Sequence, residues 1–325
     1  MRAVIPVAGL GTRLKPHTYS LPKVLLNVGG KPILGHIIEK ILKEGITKAT
    51  IVIGHLGEMI EEYIERNYPD LKCDFVTQDD MLGLGHAIYK CIDTFKGDKI
   101  FIILGDTIFD VELGGITSSE YSALGVKEVD NPRNFGVAIK KGQFVEKLIE
   151  KPETPVSRLA LVGLYYIANS DLLAECLNEL VKKDIRTRGE YQLTDALQLM
   201  IDKGEKMDTF PVEGWYDCGK PETLLTTNQF LLSRNGTNRE IEGVVINHPV
   251  YIAEDAEVKN SVIGPNTTIA ENCVVANSII RNSIINQNSH VERSMLENSI
   301  IGSNAKLKGS FQKLNAGDSS EIEFY

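Results

Sequence analysis

The 325-residue chain reads as an α/β protein with an open, largely parallel sheet, followed by a short parallel β-helix. Three observations carry that reading. Aliphatic runs alternate with helix-period segments over the first hundred residues, a glycine turn stands directly behind the first run, and a short apolar period sets in beyond residue 240. The length is about twice that of an ordinary domain, so two domains are expected.

Residues 3–7, 49–53 and 100–104 are nearly continuous β-branched or aliphatic runs, the pattern of strands covered on both faces. Between them Ile33, Leu34, Ile37, Ile38, Ile41 and Leu42 recur at helical spacing, as do Met59, Ile60, Tyr63 and Ile64. Strand, helix, strand, helix in that order implies right-handed βαβ units, whose ligand crevice lies beyond the carboxyl ends of the strands. Strand-like residues 135–139 and 159–167 and helix-like residues 172–181 and 193–201 then read as a substrate-covering extension of the same domain.

Beyond residue 240 apolar residues at Ile252, Val258, Ile263, Ile269, Val274, Ile280, Ile285, Val291, Leu296, Ile301 and Leu307 are separated mostly by steps of six and five. The phrase Asn260-Ser261-Val262-Ile263 returns as Asn277-Ser278-Ile279-Ile280, Asn282-Ser283-Ile284-Ile285 and Asn298-Ser299-Ile300-Ile301. Ordinary antiparallel strands would instead alternate with period two between turn signals every 8 to 12 residues or so. Three hexapeptide-like steps per coil predict roughly three to four stacked coils. The final residues, 318–325, are a candidate cap for the open end.

Composition excludes several classes. With 42% hydrophobic residues, 24% charged residues and 12 prolines, the chain is neither fibrous nor disordered. A net charge of −9 opposes broad affinity for nucleic acid or an anionic membrane, while leaving room for a local basic pocket around a small anion. Five scattered cysteines without a C-x-x-C pair suit a reducing compartment and no zinc site. The amino terminus has no charged leader and no window reaches 18 apolar residues, so a cytoplasmic protein is expected.

Gly9-Leu10-Gly11-Thr12-Arg13-Leu14-Lys15-Pro16 is the strongest chemical signal. Glycines behind a core strand bring backbone N–H groups against phosphate oxygens, and Arg13 adds a bidentate cation. Leu14 stands where a dinucleotide fingerprint needs its third glycine, and the loop lacks the ending of a Walker A motif. Lys23, behind Pro22, reads by itself as a surface lysine. Asp106 closes an aliphatic strand and is either a turn cap or, with Asp217 of Gly214-Trp215-Tyr216-Asp217-Cys218-Gly219, a Mg2+ ligand. Glu150-Lys151-Pro152 ends a strand-like run, and Thr194-Asp195 look like the cap of a helix behind Arg188-Gly189-Glu190-Tyr191. The six histidines form no metal-spaced cluster and receive no catalytic role.

Together these segments resemble the sugar nucleotidyltransferases, also called nucleoside-diphosphate-sugar pyrophosphorylases, over about residues 1–235. The motifs agree in order: G-x-G-T-R-L-x-P at 9–16, P-K at 22–23, G-G-K-P at 29–32, L-G-D at 104–106, E-K-P at 150–152 and W-x-D-x-G at 215–219. Within the family the chain is most similar to glucose-1-phosphate thymidylyltransferases of the long type, which append a left-handed β-helix of hexapeptide-like repeats.

The resemblance implies a Rossmann-like mixed-sheet nucleotidyltransferase domain at 1–236 and a left-handed parallel β-helix at 237–325. Separately, the apolar edge of a solenoid must be capped or paired, so a homo-oligomer formed through the tail, or packing of the tail on the catalytic domain, is expected. The resemblance further implies that Ala8, Gly9, Gly11, Thr12 and Arg13 hold the nucleoside triphosphate, that Gln78 and Gly83 read a pyrimidine base, and that Asp106 and Asp217 bind Mg2+. Gly136, Glu150, Lys151, Val162 and Glu190 would line the sugar-phosphate pocket, and Arg13, Lys23 and Asp106 would carry catalysis. A sugar-1-phosphate oxygen would attack the α-phosphorus of dTTP or UTP in line, and pyrophosphate would leave. Uridylyl transfer, a second acetyltransferase activity in the tail, and a ligand-sensing scaffold without chemistry remain open alternatives at this stage.

Overall fold

The computed structural model describes residues 1–154 and 156–309. The candidate cap at 318–325 lies outside the described residues. The chain divides into two compact units, Met1–Thr227 and the remainder from Asn228, with the division inside one helix, Pro221–Asn235.

In the first unit the chain runs β1 (Arg2–Pro6), α1 (Ile33–Lys43), β2 (Lys48–Ile53), α2 (Gly57–Asn67), β3 (Lys72–Thr77), α3 (Leu84–Tyr89), β4 (Ile100–Ile103) and β5 (Thr107–Asp110). It continues through β6 (Ser122–Glu128), β7 (Gly136–Lys141), β8 (Phe144–Glu150), β9 (Leu159–Ile167), α4 (Ser170–Lys182), α5 (Leu193–Asp202), β10 (Met207–Pro211) and β11 (Gly214–Asp217). The main sheet has the order β8-β7-β9-β4-β1-β2-β3. Strands β4, β1, β2 and β3 are parallel, as their apolar runs require, and Ala3, Val4, Ile5 and all of β4 are fully buried.

The expected extension beyond residue 120 turns out to add strands to this same sheet. β9 pairs antiparallel to β4, β6 pairs with β9, and β10 runs parallel to β6. The sheet is therefore mixed. Helices α4 and α5 pack through Leu173, Leu177, Leu193, Ala196, Leu197 and Met200 into one apolar cluster with Ile100, Ile102 and Ile167. Thr194 and Asp195 are not the cap of α5, contrary to expectation: Gln192 is the cap residue and both lie inside the first turn. The helix starts two residues earlier than a cap at Thr194 would give, with Leu193 buried in the core.

Among the described residues of the second unit, twelve short strands form three parallel sheets of four. Val245 pairs with Val262, which pairs with Ile279, which pairs with Met295, so one coil closes every 16 or 17 residues. Stacked parallel coils with three sheets are the architecture of a left-handed β-helix. The inward ladder Val250, Ile252, Val258, Ile263, Ile269, Val275, Ile280, Ile285 and Val291 is its core.

The repeated Asn-Ser phrase has a physical reason at each corner. Asn260, Asn277, Asn282 and Asn298 take positive φ between 40° and 53°, the left-handed region that Asn tolerates better than other side chains with a Cβ. The serine that follows accepts the backbone N–H of the serine one coil on: Ser261 from Ser278, Ser278 from Ser294, Ser283 from Ser299. These bonds satisfy backbone groups that a tight corner would otherwise leave unpaired.

Candidate active site

A cavity of about 320 Å³ opens at the carboxyl ends of β1, β3 and β4. Its polar lining is Gln78, Lys23, Asp106 and Glu190, and its walls include Val7, Ala8, Gly9, Met81, Gly83, Leu84, Ala87, Leu104 and Gly105. This is where an open α/β sheet offers its crevice.

The glycine loop leaves β1 at Pro6 and enters a 3-10 turn, Thr12–Leu14, anchored by the fully buried Leu14. Gly11 has φ +60°, and a Cβ there would meet Lys23 Cβ and Thr18 Cγ2 at 3.0 Å, so both conformation and space demand glycine. Thr18 Oγ1 donates to the Gly11 carbonyl and holds the turn. Thr12 and Arg13 are exposed and do not line the cavity itself; a Cβ on Gly219 would lie 2.8 Å from Asp217 Oδ1 and 3.0 Å from the Arg13 guanidinium, so glycine there leaves room for both groups.

Asp106 and Asp217 are brought together by the ribbon of β5 and β11. Thr107 pairs with Asp217, and the Cys218 N–H donates to the Asp106 carbonyl at 2.9 Å. Asp106 Oδ2 accepts from Lys23 Nζ at 2.7 Å, so the carboxylate holds a lysine rather than capping the following turn. Asp217 is steered by the Gly219 N–H on Oδ1 and the Thr223 hydroxyl on Oδ2. Cys218 between them is buried, which pushes its thiol up to about 12 and makes it inert near neutrality.

Gln78 follows β3 and is only 4% exposed. Its amide nitrogen donates to the Gly83 carbonyl at 3.2 Å and lies 3.2 Å from His86 Nδ1, which leaves the amide oxygen for a ligand. Gly83 has φ +105°, and a Cβ would come within 2.7 Å of the Tyr191 carbonyl oxygen. Here the 82–85 segment crosses 190–192 through Tyr191 N–H to Leu82 O and Gly85 N–H to Tyr191 O. That crossing sets Glu190 in the cavity wall.

The residues expected to hold a sugar phosphate form a second group. Glu150 Oε2 accepts from Thr194 Oγ1 at 2.7 Å, its Oε1 lies 3.4 Å from Lys151 Nζ, and a Cβ on Gly136 would sit 3.0 Å from Glu150 Oε2. Lys151 is held with positive φ, and the Arg188 guanidinium donates to its carbonyl. Val162 is 2% exposed and is not in the lining of the cavity. Gly136, Glu150 and Lys151 are likewise outside the cavity lining. Sequence reasoning missed the apolar wall and Thr194, whose role depends on a long-range partner and leaves no local signal.

The arrangement suits a divalent cation. Two carboxylates on adjacent strands, one beside a cavity that would bring phosphate oxygens, are the ligand set Mg2+ favours while keeping several waters. Among the described residues no group of three or more His, Cys, Asp and Glu converges, so substrate and water would complete the coordination. Among the same residues no helix is long and apolar enough to cross a membrane.

Comparison with known proteins agrees with this geometry. The profile of the family described as Nucleotidyl transferase matches residues 2–234, and that of a GMPPB C-terminal domain matches residues 246–315. The low-salt glycan biosynthesis nucleotidyltransferase Agl11 of Haloferax volcanii is 32% identical over 317 residues, covering 88% of this chain and 87% of its own. The bifunctional protein GlmU of Methanocaldococcus jannaschii is 37% identical over 262 residues, covering 79% of this chain and 61% of its own length. Among solved structures, a Bacillus anthracis protein named as a glucose-1-phosphate thymidylyltransferase is 26% identical with a TM-score of 0.62, covering 74% of this chain and 98% of that one. An apo UDP-glucose pyrophosphorylase is 25% identical with a TM-score of 0.63, covering 72% and 98%. The chain belongs to the nucleotidyl transferase family, with sugar-1-phosphate nucleotidyltransferases as its relatives.

Proposed function

We propose that this chain transfers a thymidylyl or uridylyl group from dTTP or UTP to glucose-1-phosphate and releases pyrophosphate. The observation that carries the reading is the cavity itself, with the Gln78 amide in its wall and the Lys23–Asp106 pair in the same lining. The names of the two solved relatives, a glucose-1-phosphate thymidylyltransferase and a UDP-glucose pyrophosphorylase, support a pyrimidine nucleotide and a glucosyl phosphate. Both bases offer the same N3–H to an amide oxygen. They differ by a methyl and a ribose hydroxyl, a methyl being worth about 1 to 3 kcal/mol in a pocket, so use of both nucleotides is expected.

The sugar-phosphate oxygen is already an anion, so the protein has little proton transfer to arrange. Its task is to align two mutually repelling anions and to offset charge as pyrophosphate departs. Arg13 and the N–H groups of the 9–12 loop would hold the triphosphate, Lys23 would turn from Asp106 to the phosphates, and Lys151 would take the sugar phosphate with Glu190 on hydroxyls. Asp106 and Asp217 would hold Mg2+, which supplies positive charge to the phosphate oxygens. The second unit, from about residue 237, would serve assembly of a homo-oligomer, and deletion of 240–325 should change particle size or solubility.

A second reading, a bifunctional enzyme, is favoured by one observation, the 37% identity to GlmU, and this chain spans 61% of that protein. Acetyl-coenzyme A turnover by the purified chain tests it. For the main reading the test is pyrophosphate release with Mg2+ across dTTP, UTP, CTP, ATP and GTP, each against glucose-, galactose-, mannose- and N-acetylglucosamine-1-phosphate. Turnover should concentrate in dTTP or UTP with glucose-1-phosphate. Turnover confined to a purine nucleotide, or to another sugar, contradicts the reading.

A further inference from the structure

We infer that His86 is a positioning residue for base selection: its neutral Nδ1 holds the Gln78 amide so that the carboxamide oxygen is presented to the nucleobase. The inference rests on the proposal that Gln78 faces a pyrimidine. A carboxamide can sit in two flipped orientations of nearly the same shape but opposite hydrogen-bonding sense. On one side of Gln78 stand the Gly83 carbonyl, which can only accept, and His86 Nδ1, which accepts or donates according to its tautomer, each 3.2 Å from the amide nitrogen. Flipping the amide would set its oxygen against the Gly83 carbonyl oxygen, so the NH2 group faces this side and a neutral His86 meets it with Nδ1 as acceptor. The oxygen remains for the cavity that Gln78 lines. An oxygen there accepts the N3–H of uracil or thymine and repels the N3 lone pair of cytosine.

The imidazole is built to stay in place and uncharged. It packs against two aromatic rings, Tyr89 at 6.1 Å and Tyr191 at 6.3 Å between centroids, inclined by 23° and 30°. Burial lowers its pKa below 6.5, reinforced by the charges of Lys90 behind α3 and Arg186 on the facing loop, and only partly opposed by Asp80. At neutral pH the ring therefore offers Nδ1 as an acceptor in the tautomer protonated on Nε2. Protonation would turn Nδ1 into a donor, and the pair would no longer hold.

The test is the ratio of kcat/KM for UTP over CTP, with glucose-1-phosphate, in wild type, His86→Phe, His86→Asn and Gln78→Ala. Phenylalanine keeps a ring against the tyrosines and removes the acceptor, whereas the asparagine oxygen restores an acceptor near the Nδ1 position. Loss of one buried hydrogen bond to the reading group should lower the ratio about tenfold in His86→Phe, with the ratio retained in His86→Asn. General damage to the loop would lower both nucleotides together and leave the ratio unchanged. In wild type the ratio should also decline as the pH falls well below 6.5, and in His86→Asn it should not. If Gln78→Ala lowers the ratio and His86→Phe does not, the His86 inference is overturned and the base reading survives. If Gln78→Ala leaves the ratio at the wild-type value, the base reading itself is wrong.

Discussion

The two units of this chain encode their structures in opposite ways. In the β-helix every coil repeats its neighbour: an asparagine at a left-handed corner, a serine taking the next coil's N–H, and an inward aliphatic residue. In the nucleotidyltransferase unit nothing repeats, and Asp106 and Asp217 meet only because β5 and β11 pair across 110 residues of chain. The first is stabilised by sums of equivalent neighbour contacts, the second by a sheet topology that gathers single residues from distant segments. Substitutions in the first should therefore change stability with chemistry intact, and those at the gathered site should do the reverse.

The largest expected effect falls on the site. Lys23→Met should lower kcat by roughly two to four orders of magnitude with little change in KM, since its ammonium would act on charge that develops as pyrophosphate leaves. A drop confined to KM would mean that Lys23 only binds substrate. Next comes the β-helix core, where Ile280 is fully buried between Ile263 and Leu296. Ile280→Ala should cost about 2–5 kcal/mol in denaturant unfolding of the full chain, with kcat per folded molecule unchanged. A kcat that falls with it would erase the distinction between the units. The smallest effect sharpens the corner argument: Asn277, at φ 53°, should lose about 1–2 kcal/mol on substitution by alanine. Asn277→Gly, which removes the Cβ, should recover most of that loss in the same melts.

That contrast also explains what could be read in advance. The coils were legible because a solenoid writes its period into the chain locally, and strands β1, β2 and β4 because burial on both faces leaves uninterrupted apolar runs. Gly11 was legible through its loop, but the demand for glycine comes from Lys23 and Thr18 packed against it, which no spacing shows. Thr194 looked like a helix cap because a hydroxyl beside an acid ahead of an apolar run is the usual cap signal. Its hydrogen bond to Glu150, 44 positions away, overrides that use. Val162, given a sugar-phosphate role by the resemblance, is buried within β9, in a run covered on both faces, where an apolar pattern by itself gives no sign of a ligand contact.

In the proposed function Asp106, Asp217, Lys23 and Gln78 act as one site for nucleotidyl transfer from a pyrimidine triphosphate. The most direct measurement of this function is 31P NMR of the purified protein with Mg2+, glucose-1-phosphate and either dTTP or UTP, run beside Asp106→Asn. Pyrophosphate and a nucleoside-diphosphate sugar should appear in equal amounts with wild type and neither with the variant. Inorganic phosphate without a nucleotide sugar, or undiminished turnover by Asp106→Asn, would contradict the proposed function.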